Sequence, residues 1–237
     1  MGPPREDITG PSRAPGVPSG ADGRFSRQTI LPGVGAGGQD KWAQASILLA
    51  GGGTALLSAA EALVLTGVER LVVLSQDPAD RELLDARFPA NAFQWLDPSS
   101  TDLQKINLAV VVTDDPVLRM SLSRRFRVQG QPALFGWCAG EGYALFLSRH
   151  SSGSCPCLEC FEVLNPKSFG RPFPGALRLL GAAAAAETVQ WVLSDRSPLE
   201  NKVWITSLAS GVSFFHEVAP SLKCPARLKG EGAPITP

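Results

Sequence analysis

The sequence predicts an α/β fold: an open, doubly wound domain built on a mostly parallel sheet. Two observations lead there. Runs that are apolar almost throughout, SILLA (46–50), RLVVLS (70–75) and NLAVVVTDD (107–115), recur with helical stretches between them. Strands of that kind are buried on both faces and belong in parallel sheets covered by helices. The first run also ends in Gly51-Gly52-Gly53 and passes straight into a helical stretch. At such a turn, backbone N–H groups and the positive end of a helix can meet an anion.

The elements follow in order. SILLA is the first strand, and a helix runs from about Ala55 to Thr66, closed by Gly67 as its C-cap. RLVVLS completes a βαβ unit, whose crossover is expected to be right-handed. PADRELLDARF reads as a short helix with Pro78 in its first turn, AFQWLD as a strand, and NLAVVVTDD as a further buried parallel strand. VLRMSLSRRFRVQ suits a helix, and PALFGWC and YALFLSR suit strands. A long helix spans about 176–194, and its run of alanines suits close packing. Its Leu177, Leu180, Val189 and Trp191 are expected to offer a dimer face. KVWITSLASGVSFFHEV ends the fold as a strand or hairpin. Residues 1–23, rich in Pro, Gly and charge, read as a disordered leader. A single domain is expected over 24–224, with a flexible tail over 225–237.

Composition excludes some classes of partner. Lys+Arg and Asp+Glu both total 22, so no net charge draws the chain to nucleic acid or to an anionic membrane. The longest apolar stretch is cut by the three glycines before it could span a bilayer. The N-terminus has no apolar core of a secretory signal. Three of the five cysteines crowd into CPCLEC, a spacing that suggests metal in a reducing compartment, with a redox pair or plain buried thiols as alternatives. A cytoplasmic protein is the expectation.

RFSRQTILPGVGAGGQDKWAQASILLAGGGTALLSAAEALVLTGVERLVVLSQD resembles the opening of the ThiF/MoeB/HesA family, bacterial relatives of ubiquitin-activating enzymes. Later blocks match in the same order: VVVTDD, GEGYALFL, CPCLECF and PGALRLLGAAAAAETVQWVL. The resemblance runs from about Arg24 to Cys224 and implies a Rossmann-like fold with a zinc clip in its C-terminal part. It also implies MgATP-dependent adenylation of the C-terminal glycine of a ubiquitin-like or sulfur-carrier protein, in a homodimer or a heterodimer. By resemblance Arg27 is the arginine that reaches into a partner's ATP site, and Asp114 holds magnesium. Gly51 and Gly53 are the turn glycines, and Asp77 is the second acid after the second strand. A helix-capping role fits Asp77 and Asp114 equally.

The departures from the family pattern are concentrated on the nucleotide. Leu56 stands at the third glycine, where a side chain crowds the approach of helix and ligand, and Ser75 replaces the ribose-binding aspartate. Ala86 is in register with a phosphate arginine, and the helix that carries a phosphate lysine has no room before NLAVVV. Each such cation on a phosphate contributes roughly 2–3 kcal/mol, so the losses amount to several powers of ten in rate. No cysteine between Cys160 and Cys224 offers a thioester or persulfide nucleophile. The family's second zinc pair is reduced to CPAR, leaving Cys224 with Arg227 in the last ligand position. Arginine cannot bind zinc, so the expected set is Cys155, Cys157, Cys160 and Cys224. The expectation is a catalytically weak or inactive member acting as dimer partner or docking module. The alternative is a divergent adenylyltransferase that has recruited Arg87 and Lys105.

Overall fold

The structure is a computed structural model that describes residues 25–31, 33–75, 77–97, 106–139, 141–149, 156–164, 174–221 and 224. The expected leader and tail lie outside the described residues. In chain order the elements are α1 (Ser26–Thr29), α2 (Gly35–Ala43), β1 (Ser46–Gly51), α3 (Gly53–Thr66), β2 (Arg70–Ser75), α4 (Pro78–Arg87), β3 (Gln94–Trp95) and β4 (Leu108–Val112). They continue with α5 (Pro116–Val128), β5 (Ala133–Ala139), β6 (Gly142–Ser148), α6 (Leu158–Leu164), α7 (Pro174–Ser194), β7 (Lys202–Ser207) and β8 (Val212–Glu217).

One sheet carries everything, in the order β3-β2-β1-β4-β5-β6-β7-β8. The first five of these strands are parallel. From β5 onward the pairing is antiparallel, and the sheet as a whole is mostly parallel as expected. The physical reason is the length of the connections. Ala139 pairs with Gly142 across a tight turn, and a parallel partner would need a crossover of a dozen or more residues. The expected AFQWLD strand shrinks to Gln94–Trp95. Phe93 turns inward beside it, its ring edge-on to Phe88 with centroids 5.5 Å apart.

The strands alternate between two cores. Ile47 and Leu49 point into one, with α3, α7 and Trp42 of α2 packed above them. Leu48 and Ala50 point into the other, under Leu122 and Phe126 of α5 and Leu158 and Phe161 of α6. Helices therefore cover both faces, as the doubly wound expectation requires. Gly67 ends α3 in the left-handed conformation expected of its C-cap. The sequence did not signal α2, because its three glycines are poor helix formers. Burial of Trp42 and a hydrogen bond from Lys41 Nζ to the Leu193 carbonyl, 3.2 Å, hold it in place.

Helix α7 crosses α3 at close range, and Gly181 makes that possible. A Cβ there would lie 2.3 Å from the Ala55 carbonyl oxygen and 2.8 Å from the Ala59 nitrogen. Ser58 Oγ donates to the Arg178 carbonyl, 2.9 Å, at the same crossing. This contact changes the reading of the α7 dimer face. Leu180 and Trp191 are buried within this chain, so the area they supply is already covered.

Gly181→Ala should destabilise the domain by about 1–3 kcal/mol through overpacking, read as a lower urea midpoint with an unchanged m-value. Gly37→Ala, whose added carbon meets nothing within 4 Å, serves as the control.

Candidate functional site

The strand order reverses between β1 and β4, and in such sheets the crevice at the carboxyl ends of the strands is where ligands bind. Register sets what lines it. Gly51 lies beside Ser75 on one side and Val112 on the other, which brings the glycine turn, the end of β2 and the Thr113–Asp115 turn together. Gly51 has φ +145°, and a Cβ on it would sit 2.0 Å from the Val112 carbonyl oxygen. Only glycine fits there.

The turn is filled by the chain itself. Asp80, in the first turn of α4 and 2% exposed, accepts the Gly53 N–H at 3.1 Å and 3.0 Å with its two carboxylate oxygens. Ser75 Oγ donates to the same carboxylate at 2.7 Å. Two helix N-termini, those of α3 and α4, thus converge on one acid, where the partial positive charge of both stabilises it. Ser75 and Asp80 belong together. An aspartate at position 75 would set a second carboxylate against the first, and the hydroxyl supplies a donor instead. Leu56, at the third glycine position, is fully buried in the core.

The other candidates fall around this acid. Asp77 is exposed and caps α4 by accepting the Ala79 N–H at 2.9 Å, the local role that its position allowed. Asp114 does not cap α5; its neighbour Asp115 does, accepting from Val117 and Leu118. Asp114 instead accepts the Cys138 backbone N–H at 2.6 Å. Burial, with the Asp114 charge beside it, pushes the Cys138 thiol up to about 12, so it is no thiolate nucleophile at neutral pH. Arg119, buried under the same strand end, donates from Nη1 to the Thr113 carbonyl at 3.1 Å and lies 4.9 Å over the Trp137 ring. Arg27 lies in α1, and Arg87 is exposed in the last turn of α4. Lys105 lies outside the described residues.

A second constellation sits on the opposite face of the sheet. Cys157, Cys160 and Cys224 are buried and form a cluster that could hold a metal ion, with their sulfurs within 4.8 Å of one another. Cys157 Sγ lies 3.8 Å from Cys160 Sγ and 3.6 Å from Cys224 Sγ. A tetrahedral zinc site with bonds of ~2.3 Å places its sulfurs about 3.8 Å apart, so the three thiols fit that ion and are too far apart for disulfides. The Ser221 backbone N–H points at Cys160 Sγ, 3.5 Å. Cys155 and Arg227 lie outside the described residues. Glu159, inside the Cys157–Cys160 turn and 3% exposed, is gripped by Arg124 Nε at 2.6 Å and by Arg127. Burial pushes its carboxyl up, but the hydrogen bonds and charges of both arginines outweigh that and hold it below the usual range.

Solved structures of other proteins share this fold. E. coli MccB crystallised with ATP superposes with a TM-score of 0.65 over 86% of this chain and 74% of its own, at 18% identity. MccB with selenomethionyl MccA gives 0.63 over 85% and 73%, at 17% identity. PaaA gives 0.63 over 90% and 88%, at 14% identity. The fold is ThiF/MccB-like. Neither a family profile nor a curated protein sequence matches the chain. At these identities the likeness speaks for the fold alone, and the ThiF-like fold expected from the sequence is the one observed.

Asp80 and the Arg124–Glu159–Arg127 group were not anticipated. An acid in the first turn of a helix already has a sufficient local explanation, which hid the long-range role of Asp80. Nothing in the spacing of α5 pairs its arginines with the cysteine turn.

Asp80→Ala leaves the Gly53 N–H and the Ser75 hydroxyl without their acceptor and should cost about 1–3 kcal/mol in chemical denaturation. Asp80→Asn, which keeps an acceptor for Gly53, should lose less.

Proposed function

We propose that this chain is a non-catalytic ThiF/MoeB/HesA-like protein, serving as dimer partner or docking module in the activation of a ubiquitin-like or sulfur-carrier protein. One observation carries this reading: the buried Asp80 carboxylate on the Gly53 N–H. A phosphate arriving at that turn meets an occupied donor and a negative charge where it needs positive ones. The two acids that match the family pattern, and the thiol beside one of them, are engaged as well. Asp77 is engaged as a cap, Asp114 holds a backbone N–H, and Cys138 is a protonated thiol.

MccB has been crystallised with ATP and with MccA. We propose that this chain keeps the capacity to engage a polypeptide and has given up the nucleotide. The sheet offers a surface for that. Strand β8 is exposed along its whole length and carries Val212, Phe214 and Phe215, each about half-exposed. Phe215 stacks on Trp204 of β7 at 6.2 Å, continuing the aromatic face to the edge of the described sheet. Edge strands with apolar side chains are ready to pair with another chain. Arg27, in α1, is proposed to reach a partner's site as the family resemblance implies. Among the described residues no helix is long and apolar enough to cross a membrane.

Calorimetric titration of the wild-type chain with MgATP tests the reading. The expected result is no binding tighter than about 1 mM. A micromolar dissociation constant, together with pyrophosphate exchange that depends on a ubiquitin-like C-terminus, would instead establish the adenylyltransferase alternative.

We further propose that Cys157, Cys160 and Cys224 hold one structural zinc, with Cys155 as fourth ligand, tying the segment after β8 to the turn that opens α6. Bound zinc supplies cross-linking here and no chemistry, because thiolate affinity that exists only in the folded chain becomes stability. Protein purified without chelators should contain about one zinc per chain, and a chelator should lower its Tm. Cys224→Ser should lose the metal. Retention of full zinc by Cys155→Ser would assign the fourth position to another ligand.

A further inference from the structure

We propose that Arg127 is a positioning residue of the thiol cluster: its guanidinium, shared between Glu159 and Cys157, orients a metal-bound thiolate and offsets its charge. The inference rests on the metal reading of the cluster. It is carried by an arrangement the cluster does not need for its own ligands. Arg127 comes from α5, across a helix–helix contact from the cysteines, and its side chain is only 19% exposed. It pairs with Glu159 and also hydrogen-bonds the Cys157 side chain. Glu159 in turn sits between the two cysteines of the turn, buried, with Arg124 on its other oxygen.

The charges explain why the arrangement is useful. Zinc held by three thiolates carries one net negative charge, and by four it carries two. Burying such a charge is costly unless it is paired. Arg124, Arg127 and Glu159 together supply one net positive charge beside the cluster, and Arg127 is the member that touches a ligand sulfur. A guanidinium is suited to this task because its planar fork can serve a carboxylate and a sulfur at once and it never deprotonates. Arg124, 58% exposed, braces Glu159 from the solvent side.

The experiment measures metal affinity by chelator competition on the full chain, using zinc and then cobalt(II), whose thiolate charge-transfer band reports on the sulfur directly. Arg127→Gln should weaken zinc about ten- to hundredfold, the range typical of partners that orient metal ligands, and should shift the cobalt band. Arg127→Lys, which keeps the charge without the fork, should fall between Arg127→Gln and wild type. Arg124→Gln should stay within about threefold of wild type, because the more exposed partner is screened. If Arg127→Gln does not fold, Arg127→Lys decides on the same two readouts, since it keeps the charge, loses the fork, and should still weaken zinc measurably and shift the cobalt band. Wild-type affinity and an unshifted cobalt band in whichever of these variants folds would overturn the proposal. A wild-type chain that takes up neither ion would overturn the metal reading itself, and a chain that binds zinc without dependence on Arg127 would overturn this inference alone.

Discussion

The close approach of Gly51 to Val112 is the constraint on which the crevice is built. With its Cβ position 2.0 Å from a carbonyl oxygen, residue 51 must be glycine, and its positive φ turns the chain sharply out of β1. That turn starts α3 with its first N–H groups facing the carboxyl ends of the parallel strands. Every consequence at this end of the molecule follows from an N–H that needs an acceptor. Here Asp80 provides it from within, at 3.0 Å and 3.1 Å.

An internal acceptor changes what the scaffold can do. A helix N-terminus left open to solvent is a site for a ligand anion; the same terminus closed by a buried carboxylate is a piece of structure. Ser75 completes the closure, and Asp77 and Asp114 are engaged with backbone N–H groups of their own neighbourhood. These polar groups at the carboxyl ends of the strands are thus satisfied within the chain. In this ThiF/MccB-like fold the Asp80 carboxylate is a joint between α3, α4 and β2.

Across the sheet, the thiol cluster does a comparable job for the C-terminal part. Along the antiparallel half burial falls off outward: β6 is buried throughout, β7 mostly half-buried, and β8 packs little of its surface against the rest. Cys224, directly after them, is fully buried against Cys157. That anchor brings the end of the hairpin back to the core formed by Trp137, Phe161 and their neighbours, whose rings lie 5.5 Å apart. The aromatic edge of β8 stays exposed.

The sequence by itself determined the alternation of strands and helices, the glycine turn, the Gly67 cap and the capping position of Asp77. All of these are local: they depend on apolar period, on glycine's conformational freedom, or on a side chain two residues from its partner. It also carried the cysteines that cluster, although the partnership of Cys224 with Cys157 was legible only through resemblance to a family. Tertiary structure alone decided the rest. Asp80 and Gly53 are 27 residues apart, and Arg127 and Glu159 are 32 apart, so no local pattern pairs them. Helix α2, rich in glycine, exists because Trp42 is buried beneath it, and Leu180 and Trp191 face inward because Gly181 lets α7 settle onto α3. Long-range pairing is set by which backbone groups the fold brings together unsatisfied, and that is known only once the sheet has its order.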